Sequence, residues 1–292
     1  MSEGVNQSAK PMRFVRAGND AGPLVVCVHG ILGHPENFDA FVETWGRDYS
    51  LLIPHLLEGD PLKIGYSESS PDPGEFNGQI SKQFRYEIAA ERIAETIAQE
   101  FPGVPLFLVG VSFGGKICFD LAARLGNVVT GICATDVGFG PLCEESDLFR
   151  ICIGKIPELN LNQNWESLRK EIAVCVPDRM MRVLIQNHLE YNDDLNQASW
   201  KASSRGFYEL FKGNRLEQQW HLTDQVKCPV LIFKAARNSA ISESDVLRMA
   251  EQENIEIFEV PDSNHFLHIH CADIFRERTL KAISENHRSK GV

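Results

Sequence analysis

The sequence predicts an α/β domain: a mostly parallel twisted sheet with helices on both faces, carrying an inserted helical cap. Three observations lead there. Apolar runs of strand length recur along the chain, amphipathic helix-length segments alternate with several of them, and this alternation stops between about residues 140 and 217. Parallel strands need crossover helices, and the crossovers cover both faces of the sheet. The core is expected at 1–139 and 218–292 and the cap at 140–217.

Strands are expected at MRFVRAG (12–18), PLVVCVH (23–29), YSLLIPH (49–55), PLFLVGV (105–111), VVTGICATD (128–136), CPVLIFK (228–234) and IEIFEVP (255–261). Compact runs such as CPVLIFK lack polar alternation and read as strands buried on both faces. Among the helices, PENFDAFVETWG (35–46) opens with Pro at a first-turn position, where its missing N–H is harmless. YEIAAERIAETIAQEF (86–101) sets apolar residues at helical spacing, and GGKICFDLAARLG (114–126) follows a strand directly and ends in Gly. SESDVLRMAEQEN (242–254) starts with Ser242 and Asp245 in a capping-box pattern, and ADIFRERTLKAISEN (272–286) closes the fold. Within the insertion WESLRKEIAVCV, PDRMMRVLIQNHLEYN and ASWKASSRGFYELFKG all read as helical.

Composition narrows the functional classes. A formal net charge of −11 argues against nucleic acid, whose phosphates need a basic surface, and against anionic membranes. The eight cysteines are scattered without metal spacing, several inside apolar runs, as expected of small buried hydrophobes in a reducing compartment. No apolar leader opens the sequence and no run spans a bilayer, so the expected location is cytoplasmic, with no membrane insertion.

The strongest chemical signal is LFLVGVSFGGKICFDLAARLG (106–126). It contains G-x-S-x-G as Gly110-Val111-Ser112-Phe113-Gly114, with a buried strand before it and a helix after it. A serine on so tight a turn takes a strained backbone conformation, and glycines at minus two and plus two leave it room. The turn lifts the hydroxyl clear of the sheet, and the helix N-terminus faces developing negative charge. Ser112 is therefore the candidate nucleophile.

With VVCVHGILG (25–33), GYSESS (65–70), GVSFGG (110–115), CPVLIFK and EVPDSNHFLH (259–268), the chain resembles the α/β-hydrolase superfamily, in its cap-bearing esterase and C–C hydrolase branch. The likeness covers about 12–139 and 218–290; the cap shares only its position and helical character. By that resemblance the backbone N–H groups of Ile31, which follows His29-Gly30, and of Phe113 form the oxyanion hole. His29 reads as a structural histidine tying down its loop, and nothing compels a role for His34. The resemblance makes His265 the general base, with His268 and His270 read as packing or surface. Asn264 stands where the family usually has Gly, and Asn tolerates left-handed backbone better than most residues.

The acid is where the pattern breaks. The family most often carries a carboxylate after the strand before the last one, and that place holds Asn238 in KAARNSAIS. A neutral third member costs a serine nucleophile about 10⁴ in turnover through the wrong histidine tautomer. Asp136 ends the preceding strand, where some lipases and dehalogenases of the superfamily keep their acid; it can equally cap the entry to the insertion. Asp136 is the first candidate and Asn238 the alternative. Asp262 is too close in sequence to His265, and Glu243 and Asp245 belong to a helix start. The loop PHLLEGDPLKIGYSESS also departs from the family pattern, with His55 in place of an Asp.

The implied function is a serine hydrolase acting on a small or medium ester or related acyl compound, without metal or organic cofactor. The apolar cap residues favour a small-molecule substrate with a hydrophobic portion, and oligomeric state is not legible. Three alternatives stay open: hydrolysis of a carbon–carbon bond in a ring-fission product, a cofactor-free dioxygenase, and a degenerate ligand-binding protein.

Overall fold

The computed structural model describes residues 12–56, 86–200 and 218–289, and the structural statements that follow concern those residues. Seven strands form one sheet: β1 (Phe14–Gly18), β2 (Leu24–Val28), β3 (Ser50–Pro54), β4 (Leu106–Val111), β5 (Val129–Thr135), β8 (Val230–Ala235) and β9 (Ile255–Val260). Their spatial order is β1-β3-β2-β4-β5-β8-β9. β1 runs antiparallel to β3, and the other pairings are parallel. The α/β class follows, since each parallel pair needs a crossover, and helices α1 (Asp39–Trp45), α2 (Tyr86–Glu100) and α3 (Phe113–Leu125) are among those that cover the faces.

Alternation of side chains builds a core on each face. From β2, Leu24, Val26 and Val28 join Leu106 and Leu108 of β4 and the apolar sides of α2 and α3. Val25 and Cys27 point the other way, with Phe107 and Val109, onto α1 and the closing helix. There Phe41 meets Trp45 edge-on at 4.7 Å and Phe275 at 5.5 Å. Burial pushes the thiols of Cys27, Cys118 and Cys133 up, so they stay protonated and act as small hydrophobes.

Between β5 and β8 the chain leaves the sheet. Helical turns at Asp147–Lys155 are followed by α4 (Trp165–Cys175) and α5 (Arg179–Asn187). Each longer helix opens on a side-chain cap: Asn164 accepts from the N–H of Ser167 at 2.8 Å, and Asp178 from that of Met181 at 2.9 Å. One expectation fails. Residues 189–192 and 198–200, read above as helical, fall in an antiparallel hairpin of β6 (Leu189–Asn192) and β7 (Gln197–Trp200). The cause is local: Asn192 accepts from Leu195 N–H at 3.0 Å, and Asn196 turns the chain at φ 49. Leu189 and Ala198 are buried while Glu190 and Ser199 are exposed, the period-2 pattern of a half-covered ribbon. The rest of ASWKASSRGFYELFKG, and the GYSESS loop, lie outside the described residues.

Both ends of the insertion meet over α3. Gln219 donates its backbone N–H to Phe139 O at 2.6 Å and its amide to Lys116 O at 2.9 Å, while Lys116 Nζ donates to Gly140 O. Phe139 stacks on Phe119 at 4.1 Å. Burial drops the pKa of Lys116 to about 7, against the opposing pull of Asp245. No helix among the described residues is long and apolar enough to cross a membrane.

Candidate active site

Ser112 sits between β4 and α3 at φ 51 and ψ −117, a left-handed conformation that a non-glycine residue holds only under constraint. Its N–H donates to Thr135 O at 3.0 Å, and its own carbonyl accepts from Gly115 N–H at 2.7 Å. Glycine is required on both sides. A Cβ on Gly114 would stand 2.1 Å from Val28 O, and one on Gly110 would stand 2.6 Å from Gly115 Cα.

His265 follows β9 in a loop stitched to the end of β8. Ser263 donates its hydroxyl to Val260 O at 2.6 Å and accepts from Ala236 N–H at 3.2 Å. The left-handed residue of this loop is Asp262, at φ 55, and not Asn264. Asn264 serves instead through its side chain, whose oxygen accepts from Phe266 N–H at 3.0 Å and lies 3.1 Å from His270 Nδ1. The reason offered above for tolerating Asn264 is therefore replaced: it caps a turn.

The three groups form a chain. His265 Nε2 lies 2.9 Å from Ser112 Oγ, and His265 Nδ1 lies 2.8 Å from Asp136 Oδ2. A carboxylate only accepts, so Nδ1 carries the proton and Nε2 is left free to take one from the serine.

Asp136 is fully buried and left-handed at φ 45. Three donors besides His265 hold it: Ala235 N–H at 2.9 Å and Ser239 Oγ–H at 2.6 Å on Oδ1, and Ala240 N–H at 2.9 Å on Oδ2. Burial pushes its pKa up. The hydrogen bond and charge of His265, then Ser239 and Ala235, pull harder the other way and leave it below the usual carboxylate range.

Asn238 lies elsewhere: it is exposed, at φ 50, on the turn that carries Ser239 and Ala240. The turn where the resemblance places an acid thus supplies donors to a carboxylate at the end of the neighbouring strand. Ser239 escaped the sequence reading because a serine in a polar turn has no motif; a buried carboxylate with an unfilled oxygen was its only signal. Glu243 lies 3.5 Å from Lys234, and Ser242 caps Asp245 N–H at 3.1 Å, so neither acid joins His265.

Ile31 and Phe113 flank the serine. Phe113 is the first residue of α3, so its N–H has no partner within the helix. Gly30 and Gly33 close a turn, Gly33 N–H to Gly30 O at 2.9 Å, with Ile31 at its second position. A Cβ added at Gly30 would lie 3.3 Å from Val111 O and in ordinary contact, 3.7 Å, with Ser112 Cβ. His29 is buried, its Nδ1 2.8 Å from Gly30 O and its Nε2 accepting from Leu56 N–H at 3.3 Å. Burial lowers its pKa to about 3, so the ring is neutral with the proton on Nδ1.

A cleft opens over Ser112 and His265. Its walls are Ile31, Phe38, Phe266 and Ile269 from the core, and Leu148, Met181 and Leu184 from the insertion. His268 also lines it, with Nδ1 buried and without a partner, and burial pushes this ring down to about 3 as well. His34 is tied to the turn at the start of α1, its N–H donating to Asn37 Oδ1 at 2.6 Å. Among the described residues no group of three or more His, Cys, Asp or Glu is arranged to hold a metal ion.

A parallel sheet bearing a strained serine at a strand-to-helix turn, with a histidine beyond its last strand, defines the α/β hydrolases. The chain belongs to the alpha/beta hydrolase family, whose model matches residues 25–278. Among solved structures it is similar to a marine microorganism esterase (16% identity, 93% of this chain and 98% of that one, TM-score 0.70). It is also similar to E-2-(acetamidomethylene)succinate hydrolase (17%, 94% and 95%, TM-score 0.68). A thermophilic esterase from Thermogutta terrifontis is a third (18%, 94% and 94%, TM-score 0.62). At these identities the likeness shows the fold. Comparison with curated proteins gives no match.

Proposed function

We propose that the protein is a serine hydrolase that cleaves small or medium carboxylic esters of hydrophobic acids. The observation that carries this reading is the unbroken chain from Asp136 through His265 to Ser112, at 2.8 and 2.9 Å, opening onto an apolar cleft. Ser112 Oγ attacks the ester carbonyl carbon as its proton passes to His265 Nε2, and Asp136 stabilises the imidazolium. The carbonyl oxygen gains the negative charge and is met by the N–H groups of Ile31 and Phe113. Collapse breaks the ester C–O bond, and His265 returns the proton to the leaving alkoxide. A water then gives a proton to His265 and attacks the acyl carbon; the bond to Ser112 Oγ breaks, His265 returns the proton to that oxygen, and the acid leaves.

The apolar walls argue for ester over the carboxylate-rich ring-fission products of the carbon–carbon hydrolases. Such products need a cation, and among the described residues lining the cleft none is Arg or Lys. The scattered cysteines, free wherever described, support a reducing cytoplasmic setting.

A fluorophosphonate probe tests the nucleophile. Wild type becomes labelled at Ser112 and hydrolyses p-nitrophenyl esters, with kcat/KM rising with acyl length until the cleft is filled. Ser112→Ala abolishes both; labelling that survives this substitution overturns the reading. Oxygen consumption with an N-heteroaromatic substrate in place of ester turnover favours the dioxygenase class instead.

A further inference from the structure

A side chain of the insertion hydrogen-bonds to the turn that carries Ile31. His188, between α5 and β6, places Nε2 3.2 Å from Leu32 O. A carbonyl only accepts, so Nε2 carries the proton and donates it.

Leu32 O belongs to the same peptide unit as Gly33 N–H, and that N–H donates to Gly30 O at 2.9 Å. Gly30 O in turn belongs to the same peptide unit as Ile31 N–H. Gly30 O also takes the Nδ1–H of His29 at 2.8 Å, whose Nε2 is fixed by Leu56 N–H. A planar peptide held at its carbonyl cannot tilt its N–H independently. The hydrogen bonds therefore run in series, from His188 through the 32–33 peptide to the 30–31 peptide and so to the donor beside Ser112. Each bond polarises the next peptide in the same sense, strengthening the final N–H as a donor. Gly33 permits this tight turn, since a Cβ there would stand 3.0 Å from Gly30 O and from His29 Cβ.

We propose that His188 is a positioning residue, by which docking of the insertion on the core sets the Ile31 N–H for the oxyanion. This rests on the hydrolase reading given above. Leu184 and Met181, one and two turns earlier on α5, wall the cleft, so the helix that shapes the substrate pocket also supplies the clamp. A substrate that seats this helix correctly thereby completes the oxyanion site.

The test uses the full chain and three readouts: kcat and KM for p-nitrophenyl acetate, fluorophosphonate labelling, and amide hydrogen exchange of residues 30–33. His188→Phe keeps a ring but removes the donor. It is expected to lower kcat about five- to tenfold, the scale of one lost hydrogen bond, with KM within about twofold. Exchange at the turn rises, and His188→Gln, whose amide reaches a similar point, restores most of both. His188→Asn is too short to reach, and it replaces the Phe variant with the same expectations where that variant does not fold.

An unchanged kcat in His188→Phe overturns the proposal, as does a lowered kcat with the turn amides still protected. A rise in KM alone marks His188 as a wall of the cleft and overturns it too. If wild type is not labelled at Ser112, the hydrolase reading is what fails. The oxyanion role then falls with it, while exchange at the turn still tells whether the His188 clamp exists.

Discussion

At the scale of single residues, Asp136 stands one residue past the end of β5 and Asn238 three past the end of β8, the neighbouring strand, and both are left-handed, at φ 45 and φ 50. Only one is buried against His265. Replacing Asp136 with Asn keeps the size but reverses the hydrogen bond, because an amide donor facing Nδ1 stabilises the tautomer with its proton on Nε2. Asp136→Asn is expected to lower kcat on p-nitrophenyl esters by about 10³–10⁴. Asn238→Ala leaves turnover within about twofold, because that side chain faces solvent. It lowers stability in urea by about 1 kcal/mol, because Ala lacks the short polar side chain through which Asn tolerates the left-handed region, and Asn238→Gly removes that loss. A collapse of kcat in Asn238→Ala with Asp136→Asn unharmed reverses the assignment. Ser112 and His265 were legible as candidates because motif and strand order mark them. The choice between Asp136 and Asn238 was not, since it turns on Ala235, Ser239 and Ala240 converging on one carboxylate across 99 to 104 residues of chain.

At the scale of elements, the core was legible where one periodicity held throughout. β2, β4, β5 and β8 are buried along their whole lengths, and their sequences are apolar runs interrupted only by Thr130 and Thr135 in β5 and Lys234 in β8. The hairpin β6–β7 was not. Tyr191 and Trp200 sit at positions compatible with either period, and the deciding signal, the turn in NDDLN, is shorter than the helix pattern before it. The elbow between β4 and α3 is the most tightly specified junction, because helix and strand backbones touch at Gly114. A methyl there meets Val28 O, a backbone atom of β2 that cannot rotate away. Gly114→Ala must push α3 off the sheet, costing about 2–4 kcal/mol of stability by overpacking. Since Phe113 N–H moves with the helix, kcat falls at least about 100-fold in whatever fraction remains folded. Urea melts and active-site titration with the fluorophosphonate separate the two effects. A variant of wild-type stability and turnover shows that the junction has slack the close approach does not suggest.

At the scale of the whole molecule, acidification acts through buried neutral histidines and through net charge, in opposite directions. His29 is held neutral by burial, with its pKa lowered to about 3, against about 6.5 in an unfolded chain. Between those values the unfolded state binds a proton that the folded state refuses, so stability rises with pH and is lost as pH falls below about 6.5. From pH 7 to pH 5 the loss from His29 alone is about 2 kcal/mol. His268 adds a smaller loss in the same direction, because it keeps partial contact with solvent. Asp136 contributes nothing in this window. Its pKa lies below the usual range, so its stabilisation is present above about pH 4 and is lost only as pH falls through its folded value. The formal charge of −11 shrinks on acidification, which relieves self-repulsion and masks the histidine effect in any single titration. A difference measurement removes the mask. His29→Asn keeps a donor toward Gly30 O and nearly the same net charge, but no longer titrates. Unfolding in urea is expected to find wild type more stable at pH 7, with the gap narrowing by about 2 kcal/mol at pH 5. Parallel losses in the two proteins across that range show that His29 accepts a proton in the folded state, and the neutral, loop-fixing histidine beside the oxyanion turn is then wrong.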